Sequence, residues 1–298
     1  MSESKRWIDP RCTVLDLPYS GPFVELGDGR LFTVEENTTL YSSDEGKNWT
    51  DRGKAYTGRK PGIPGSCKLI RTEDGVVVMV YMDYSTAKSS ATGWNDANGK
   101  AADDKRVDIW SIRSLDEGET WQDRHRILEG YCGALLNMIQ MSRNGPIVVP
   151  VMDMWPDPDR IVQGVFTSGD NGKSWTKSNF IDLGGHGHHD GAMESIVVEL
   201  NDRKLWMLIR TSWDYFWEAY SMDEGLSWRI IQPTNIDASS APGDILRLAS
   251  GRIVLVWNRL YPEGKDTYLR RSGAYSSEPA SWHREELSIA FSEDDGGT

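Results

Sequence analysis

The sequence predicts an all-β protein, a β-propeller of four-stranded antiparallel blades, on three observations. A phrase of Ser, any residue, Asp, any residue, Gly, two residues and Trp recurs from Ser42, Ser114, Ser168 and Ser221, and a fifth copy begins at Ser292. Each copy follows a short run of strand-forming residues, and thirteen Trp supply side chains large enough to fill the space between stacked sheets. Copies spaced 53 to 72 residues apart in strand-rich sequence have the size of a propeller blade.

Within the phrase, the Asp accepts backbone N–H bonds at a tight turn, the Gly supplies positive φ, and the Trp opens the next strand. Each repeat therefore divides into strand A, a turn, strand B, a loop, strand C, the Asp turn and strand D. Blade one pairs residues 23–26 with 31–34 across Gly27, Asp28 and Gly29. Blade two pairs 69–71 with 76–81 across Glu73, Asp74 and Gly75, and blade three pairs 136–141 with 147–151 across Arg143, Asn144 and Gly145. In blade four, 196–200 and 205–209 flank Asn201 and Asp202; in blade five, 245–248 and 253–257 flank Ser250 and Gly251. The C strands are 38–41, 107–112, 161–166, 218–220 and 287–291, each running into an Asp turn. The fifth phrase, Ser292, Asp294 and Gly296, reaches Thr298 without its Trp, so five blades are readable and the last is expected to be incomplete. An early run, 12–17, is expected to pair with the final blade as a closing strand.

A single domain, residues 1–298, accounts for the whole chain. The net charge of −12 argues against nucleic acid or an anionic membrane as the main partner. Cys12, Cys67 and Cys132 have neither metal nor redox spacing and read as buried free thiols. No apolar run approaches membrane length, and the polar start lacks a secretory apolar region. A cytoplasmic location is expected, or a secreted or periplasmic one where the N-terminus has been trimmed.

Successive hairpins reverse direction, so the A–B turns and the Asp turns share one face and the D–A and B–C connections share the other. The second face collects the chemistry. It holds 82–106, with Tyr84, Trp94, Asp96, Asp103 and Asp104, and 184–194, which reads Gly-Gly-His-Gly-His-His-Asp-Gly-Ala-Met-Glu. It also holds 210–217, with Trp213, Asp214, Tyr215 and Trp217, and the stretch from Asn258 and Arg259 through Tyr261, Tyr268, Arg270, Arg271 and Tyr275. Aromatic faces interleaved with carboxylates and guanidinium groups suit a sugar. His186, His188 and His189 admit three readings: acid/base or hydroxyl-binding work at a sugar, a metal site with Asp190, or a hydrogen-bonded Gly-His loop.

With its Asp phrases, the chain resembles the sialidase (neuraminidase) superfamily, whose fold is a six-bladed β-propeller carrying such Asp boxes. Blade four adds to the likeness through Met193-Glu194-Ser195-Ile196-Val197-Val198-Glu199-Leu200, residues 205–210 and the box at Ser221. Residues 142–150 and 241–258 also resemble family strands. The family has a Glu opening that A strand and an Arg closing the B strand, here Glu194 and Arg210. The resemblance implies retaining hydrolysis in which a Tyr attacks the anomeric carbon, Glu194 takes the Tyr proton, an Asp acts as acid and base, and arginines including Arg210 grip a carboxylate. Asp103 and Asp104 occupy the acid/base region. Where the family has Arg-Ile-Pro, this chain reads Gly62-Ile63-Pro64, with Arg59 and Lys60 nearby. The late blades that carry the third arginine and the Tyr have no match here, and a truncated six-bladed ring is expected over five sheets closed by the N-terminal strand.

The expected function is that of a sialidase-like exo-glycoside hydrolase acting on an acidic or highly hydroxylated sugar of a glycan or glycoconjugate. Glu194, Asp190, His189 and Asp104 are the catalytic candidates; Arg210, His188, Trp213, Arg259 and Tyr261 are the substrate contacts; no metal or other cofactor is expected. The histidine cluster admits instead a polysaccharide lyase acting on uronic-acid glycans, and the absent Arg-Ile-Pro motif admits a non-catalytic glycan-binding propeller.

Overall fold

A computed structural model describes residues 7–56, 67–86, 94–95, 100–101, 106–156, 159–187, 189–271 and 279–297. Blade one contains β1 (Phe23–Glu25), β2 (Leu31–Glu35), β3 (Thr38–Ser42) and β4 (Thr50–Lys54). Blade two contains β5 (Cys67–Arg71) and β6 (Val77–Asp83), the short pair β7 (Trp94–Asn95) and β8 (Lys100–Ala101) in the connection, then β9 (Asp108–Ser114) and β10 (Gln122–Leu128). β11 (Ile139–Gln140), β12 (Ile147–Trp155), β13 (Arg160–Ser168) and β14 (Thr176–Lys177) form blade three. Blade four follows as β15 (Met193–Glu199), β16 (Leu205–Arg210), β17 (Tyr215–Ser221) and β18 (Arg229–Asp237). The fifth sheet has three strands, β19 (Asp244–Arg247), β20 (Ile253–Trp257) and β23 (Ser288–Ser292), with the pair β21 (Arg270–Arg271) and β22 (Ala280–Ser281) in its long connection.

The propeller reading therefore holds, with four four-stranded blades and a three-stranded fifth among the described residues. First strands of neighbouring blades touch, β1 with β5 and β15 with β19, so strand A is innermost. Strand B is sandwiched between two neighbours: all seven residues of β6 and all six of β16 are buried. Strands covered on both faces read as continuous apolar runs rather than alternating ones. Four apolar clusters lie between successive blades, the first joining Phe32 and Tyr41 to Met79 and Tyr81, the last joining Trp206 and Leu208 to Ile253 and Leu255.

Each Asp phrase closes its C–D turn in the same way. The Ser hydroxyl donates to the Asp, from Ser42 to Asp44 at 2.8 Å, and accepts the N–H of the Gly, from Gly46 at 2.9 Å. Asn48 then donates to Asp44 through its backbone N–H at 2.8 Å and its side chain at 2.6 Å. Thr120, Ser174 and Ser227 do the same for Asp116, Asp170 and Asp223. The two residues at the tip are left-handed in every copy, as Glu45 and Gly46 at φ 61° and 84° or Glu224 and Gly225 at φ 60° and 88°. The Gly also rests on the preceding blade. A Cβ at Gly118 would fall 2.9 Å from the Phe32 ring, at Gly172 2.8 Å from Val78, at Gly225 2.8 Å from Thr167 and at Gly296 2.7 Å from Trp206. The residue before it ties the same seam: Glu117 accepts the Gly27 N–H at 3.3 Å, Asn171 donates to Asp74 at 2.8 Å, and Asp295 accepts from Asn201 at 3.0 Å.

Two expectations fail at the start of the chain. Residues 12–17 form no strand; Val14 and Leu15 are exposed, and Leu17 lies against the box glycine Gly46 of blade one. Their alternation carries no register without a paired edge. Cys12 is consequently exposed, whereas Cys67 and Cys132 are buried as expected, and burial pushes both of those thiols up to about 12.

Two outcomes follow from the box geometry. Gly225→Ala combines a left-handed residue with a clash against Thr167 and is expected to cost about 2–4 kcal/mol in urea unfolding. Asn48, through its backbone and then its side chain, and next Ser42 hold the Asp44 carboxyl down to about 2. Because the folded value is depressed, the associated stability is present above the unfolded value of about 3.9 and is lost as pH falls through the folded one. Carbon NMR is expected to find the Asp44 midpoint near 2, and Asn48→Ala to move it upward; a parent midpoint close to that of a free Asp would contradict the assignment.

Candidate functional site

Strand A begins and strand B ends on the loop-rich face, so Met193–Glu199 opens there and Leu205–Arg210 closes there. Between Met193 and Ile196 the register with β16 shifts, and Glu194 adopts φ 35°, in the left-handed region. A bulge of this kind re-aims a side chain, and a non-glycine residue keeps such a backbone only where its surroundings hold it. Gln163 of β13 does the holding. Its Oε1 accepts the Ser195 N–H at 3.1 Å and the Ser195 hydroxyl at 2.6 Å, while its Nε2 donates to the Ala192 carbonyl at 3.1 Å. Glu194 thereby meets Arg210 in an ion pair, with the guanidinium 3% and the carboxylate 17% exposed.

Arg210 extends the cluster into blade five. Its Nη2 donates to the Ser240 hydroxyl at 3.1 Å, and Arg284 donates from the other side to the Ser240 carbonyl at 2.9 Å. Nothing in the sequence repeat pointed to Arg284, which lies in the long connection of blade five and stands 5.5 Å over the Trp282 ring. Burial first, and then the charge of Arg210, push the Arg284 guanidinium down, with Glu194 opposing. Yet the Arg284 side chain has water-accessible surface. Arg210 Nε, buried, has no protein partner among the described residues.

The Gly-His loop forms one wall. Gly185 and Gly191 pack backbone to backbone, leaving no room for a Cβ, and Asp190 accepts the N–H groups of His186 at 3.0 Å and Gly191 at 2.9 Å. Asp190 is buried and ties the loop. His186 is exposed, while His189, at φ 65°, gives its carbonyl to the Ser212 hydroxyl and turns its ring edge to Trp282 at 5.1 Å. Among the described residues no cluster of His, Cys, Asp and Glu has metal-binding spacing. His188 and Asp104 lie outside the described residues, as do Asp103, Arg59, Lys60, Gly62, Ile63, Pro64 and Tyr275.

The remaining sequence candidates scatter around this centre. Trp213 packs edge-on to Trp217 at 5.6 Å, and Tyr215 and Trp217 belong to β17 rather than to a loop, with Trp217 lodged between blades three and four. Arg259 offers its carbonyl to His283 Nδ1 and lies 3.8 Å from Asp237. Tyr261 bonds Arg270, which reaches Asp214 at 2.6 Å and so laces the blade-five connection to blade four. At the starts of β5 and β19, Lys68 and Asp244 act on one another across the axis; burial pushes the lysine down and the carboxyl up. Chemically, the centre holds two guanidiniums against one carboxylate, with an aromatic ring and an imidazole beside them: a setting for an anion attached to an apolar or hydroxylated ring.

The family model described as BNR repeat-like domain matches residues 81–298. Among solved structures, a protein of unknown function from Dyadobacter fermentans DSM 18053 is similar at 18% identity and TM-score 0.57, over 80% of this chain and 74% of that one. A Hadza microbial sialidase is similar at 17% identity and TM-score 0.59, over 93% and 56%. A point mutant of the NanB sialidase from Streptococcus pneumoniae is similar at 13% identity and TM-score 0.50, over 78% and 55%. The chain thus spans little more than half the length of the two sialidases, and likeness at these identities speaks to fold. No curated protein matches.

The charge arrangement separates two substitutions. Glu194→Gln leaves buried Arg210 without its counter-charge and is expected to cost about 3 kcal/mol in urea unfolding. Arg284→Met removes a desolvated charge that is repelled by its neighbour, so its unfolding midpoint is expected to equal or exceed the parent's. A destabilised Arg284→Met would place that guanidinium in the framework instead of the site.

Proposed function

We propose that this chain, which belongs to the BNR repeat-like domain family, is a carbohydrate-active enzyme that acts on an acidic sugar, with sialidase-like exo-glycoside hydrolysis as the reaction. One observation carries the reading: Arg210 and Arg284 converge on Ser240, with the Glu194 carboxylate paired to Arg210, so that one positive charge is in excess. A sugar carboxylate restores neutrality there, and each planar guanidinium can take it with paired N–H bonds. The sialidase structures of the same architecture support the choice of reaction class.

In this reading the substrate carboxylate lies on Arg210 and Arg284, and the sugar ring rests near Trp282. Glu194, held above the β15 bulge, is the carboxylate beside the anomeric carbon. It accepts the proton of the attacking group, or it stabilises the positive charge that develops on the ring as the glycosidic bond breaks. Asp190 and Gln163 position the chemistry rather than perform it. The imidazole of His189 closes the side where the leaving group departs. A second reading rests on that imidazole: on a uronic acid, His189 would remove the C5 proton while the two arginines neutralise the carboxylate and the C4–O bond breaks, giving an unsaturated sugar.

The test is a fluorogenic sialoside assayed beside a panel of uronic-acid polysaccharides, reading fluorophore release and ultraviolet absorbance of unsaturated ends. Fluorophore release is expected, lowered about 10²–10⁴-fold in Glu194→Gln and in Arg284→Met, the latter chiefly through KM. Absorbance without release would move the chemistry to elimination. Silence on every substrate, with sugar binding retained, would make the protein a glycan-binding propeller.

A further inference from the structure

The seams between blades are not closed alike, and the difference lies four residues after the box Trp. In blade three that residue is Asn179, whose amide holds the backbone of the next box Trp at both groups: Oδ1 accepts the Trp228 N–H at 2.8 Å and Nδ2 donates to the Trp228 carbonyl at 3.2 Å. In blade two it is His125. An amide presents a donor and an acceptor side by side, whereas the two nitrogens of an imidazole diverge, so His125 cannot copy the bridge. Its Nε2 is buried without a protein partner among the described residues.

His125 lies opposite Ser111 in the register of β9 and β10, and opposed residues share one face of a sheet. Trp175 Nε1 donates to the Ser111 hydroxyl at 2.9 Å, so the indole meets that same face. Where the next seam is bridged, this one instead holds a shallow groove of about 290 Å³, lined by His125, Arg126 and Ile127 of β10 and by Lys173, Ser174 and Trp175 of the third Asp turn. The fixed charges around it balance. Arg106 and Arg126 together match Asp108 and Glu129, and the turn that carries Lys173 also carries the Asp170 carboxylate. Lys173 forms no ion pair among the described residues, so its ammonium, like the imidazole, is available to a ligand. An indole and the Ile127 side chain beside these two polar groups suit a neutral hydroxylated ring, whose apolar face takes the indole and whose hydroxyls take the ammonium and the imidazole.

We propose that this groove, on the rim between blades two and three, is a second sugar site that takes one neutral hexose unit of a glycan. It includes the third Asp turn and is separate from the Glu194 cluster on the loop-rich face. Binding there stands whether or not the Glu194 cluster cleaves a sugar.

The test titrates the full chain with lactose, cellobiose, maltose and N-acetyllactosamine, each to about 50 mM, and follows the Trp175 indole N–H by heteronuclear NMR, with Trp175→Phe to assign the signal. Saturable movement is expected with at least one of the four, at a Kd of about 1–10 mM. Lys173→Met is expected to weaken it at least about fivefold. His125→Asn installs the amide that bridges the next seam; it is expected to close the groove and abolish the movement while leaving the urea unfolding midpoint at or above the parent's. No movement with any of the four sugars, or an affinity indifferent to both Lys173→Met and His125→Asn, would overturn the proposal. Movement with sodium sulfate and with none of the sugars would also overturn it, assigning the groove to an anion. Because the readout is binding at Trp175, failure here and failure of hydrolysis at Glu194 are separate results.

Discussion

The contact on which the ring depends is the seating of the box glycines Gly118, Gly172, Gly225 and Gly296 on a side chain of the preceding blade. Two consecutive left-handed residues bring the turn backbone within reach of Phe32, Val78, Thr167 or Trp206, at separations that no Cβ tolerates. The Ser–Asp–Gly hydrogen bonds keep the turn in that shape, and the side chain beside the glycine then bonds the neighbouring A–B turn. Spacing and orientation between sheets are thus set by a rigid hairpin tip, with the apolar clusters filling what the tips define. A local motif of eight residues in this way acts on tertiary geometry.

Fixing the blades at one face allows irregularity at the other. Glu194 sits on a bulge at positive φ, and His189 and Asp214 are left-handed as well, all within the connections around Arg210. Such conformations persist where neighbours over-determine them, and Gln163 supplies that restraint at Glu194 from the adjacent blade. The ion pair of Glu194 and Arg210 is joined by Arg284 through one serine, Ser240, whose hydroxyl and carbonyl each take one guanidinium. Blade four supplies one half of the centre and blade five the other.

How much was legible in the residues follows from this division. The boxes announce themselves because every copy satisfies the same hydrogen bonds, so the blade boundaries agree with the strands to within a few residues. Glu194 and Arg210 were visible through the resemblance to the sialidase superfamily, which has a Glu at the start of that A strand and an Arg at the end of its B strand. Arg284 was not, since it lies in a long connection with no repeat register, and only folding brings it against Ser240. Gln163 reads as an ordinary polar residue in a strand until its burial is known. The run 12–17 was misread as a strand because alternation alone does not name a partner edge, and Asp190, read as catalytic, spends its carboxylate on the N–H groups of its own loop.

The box aspartates have a further effect that reaches past the turns they close. All lie on one face of the disc, and hydrogen bonding favours their charged form. The cations of Arg210, Arg284 and Lys68 lie toward the other face. In a chain of net charge −12, part of the negative charge is thereby fixed at the face of the Asp turns. The same residues that lock the hairpins thus also place charge on one face of the molecule.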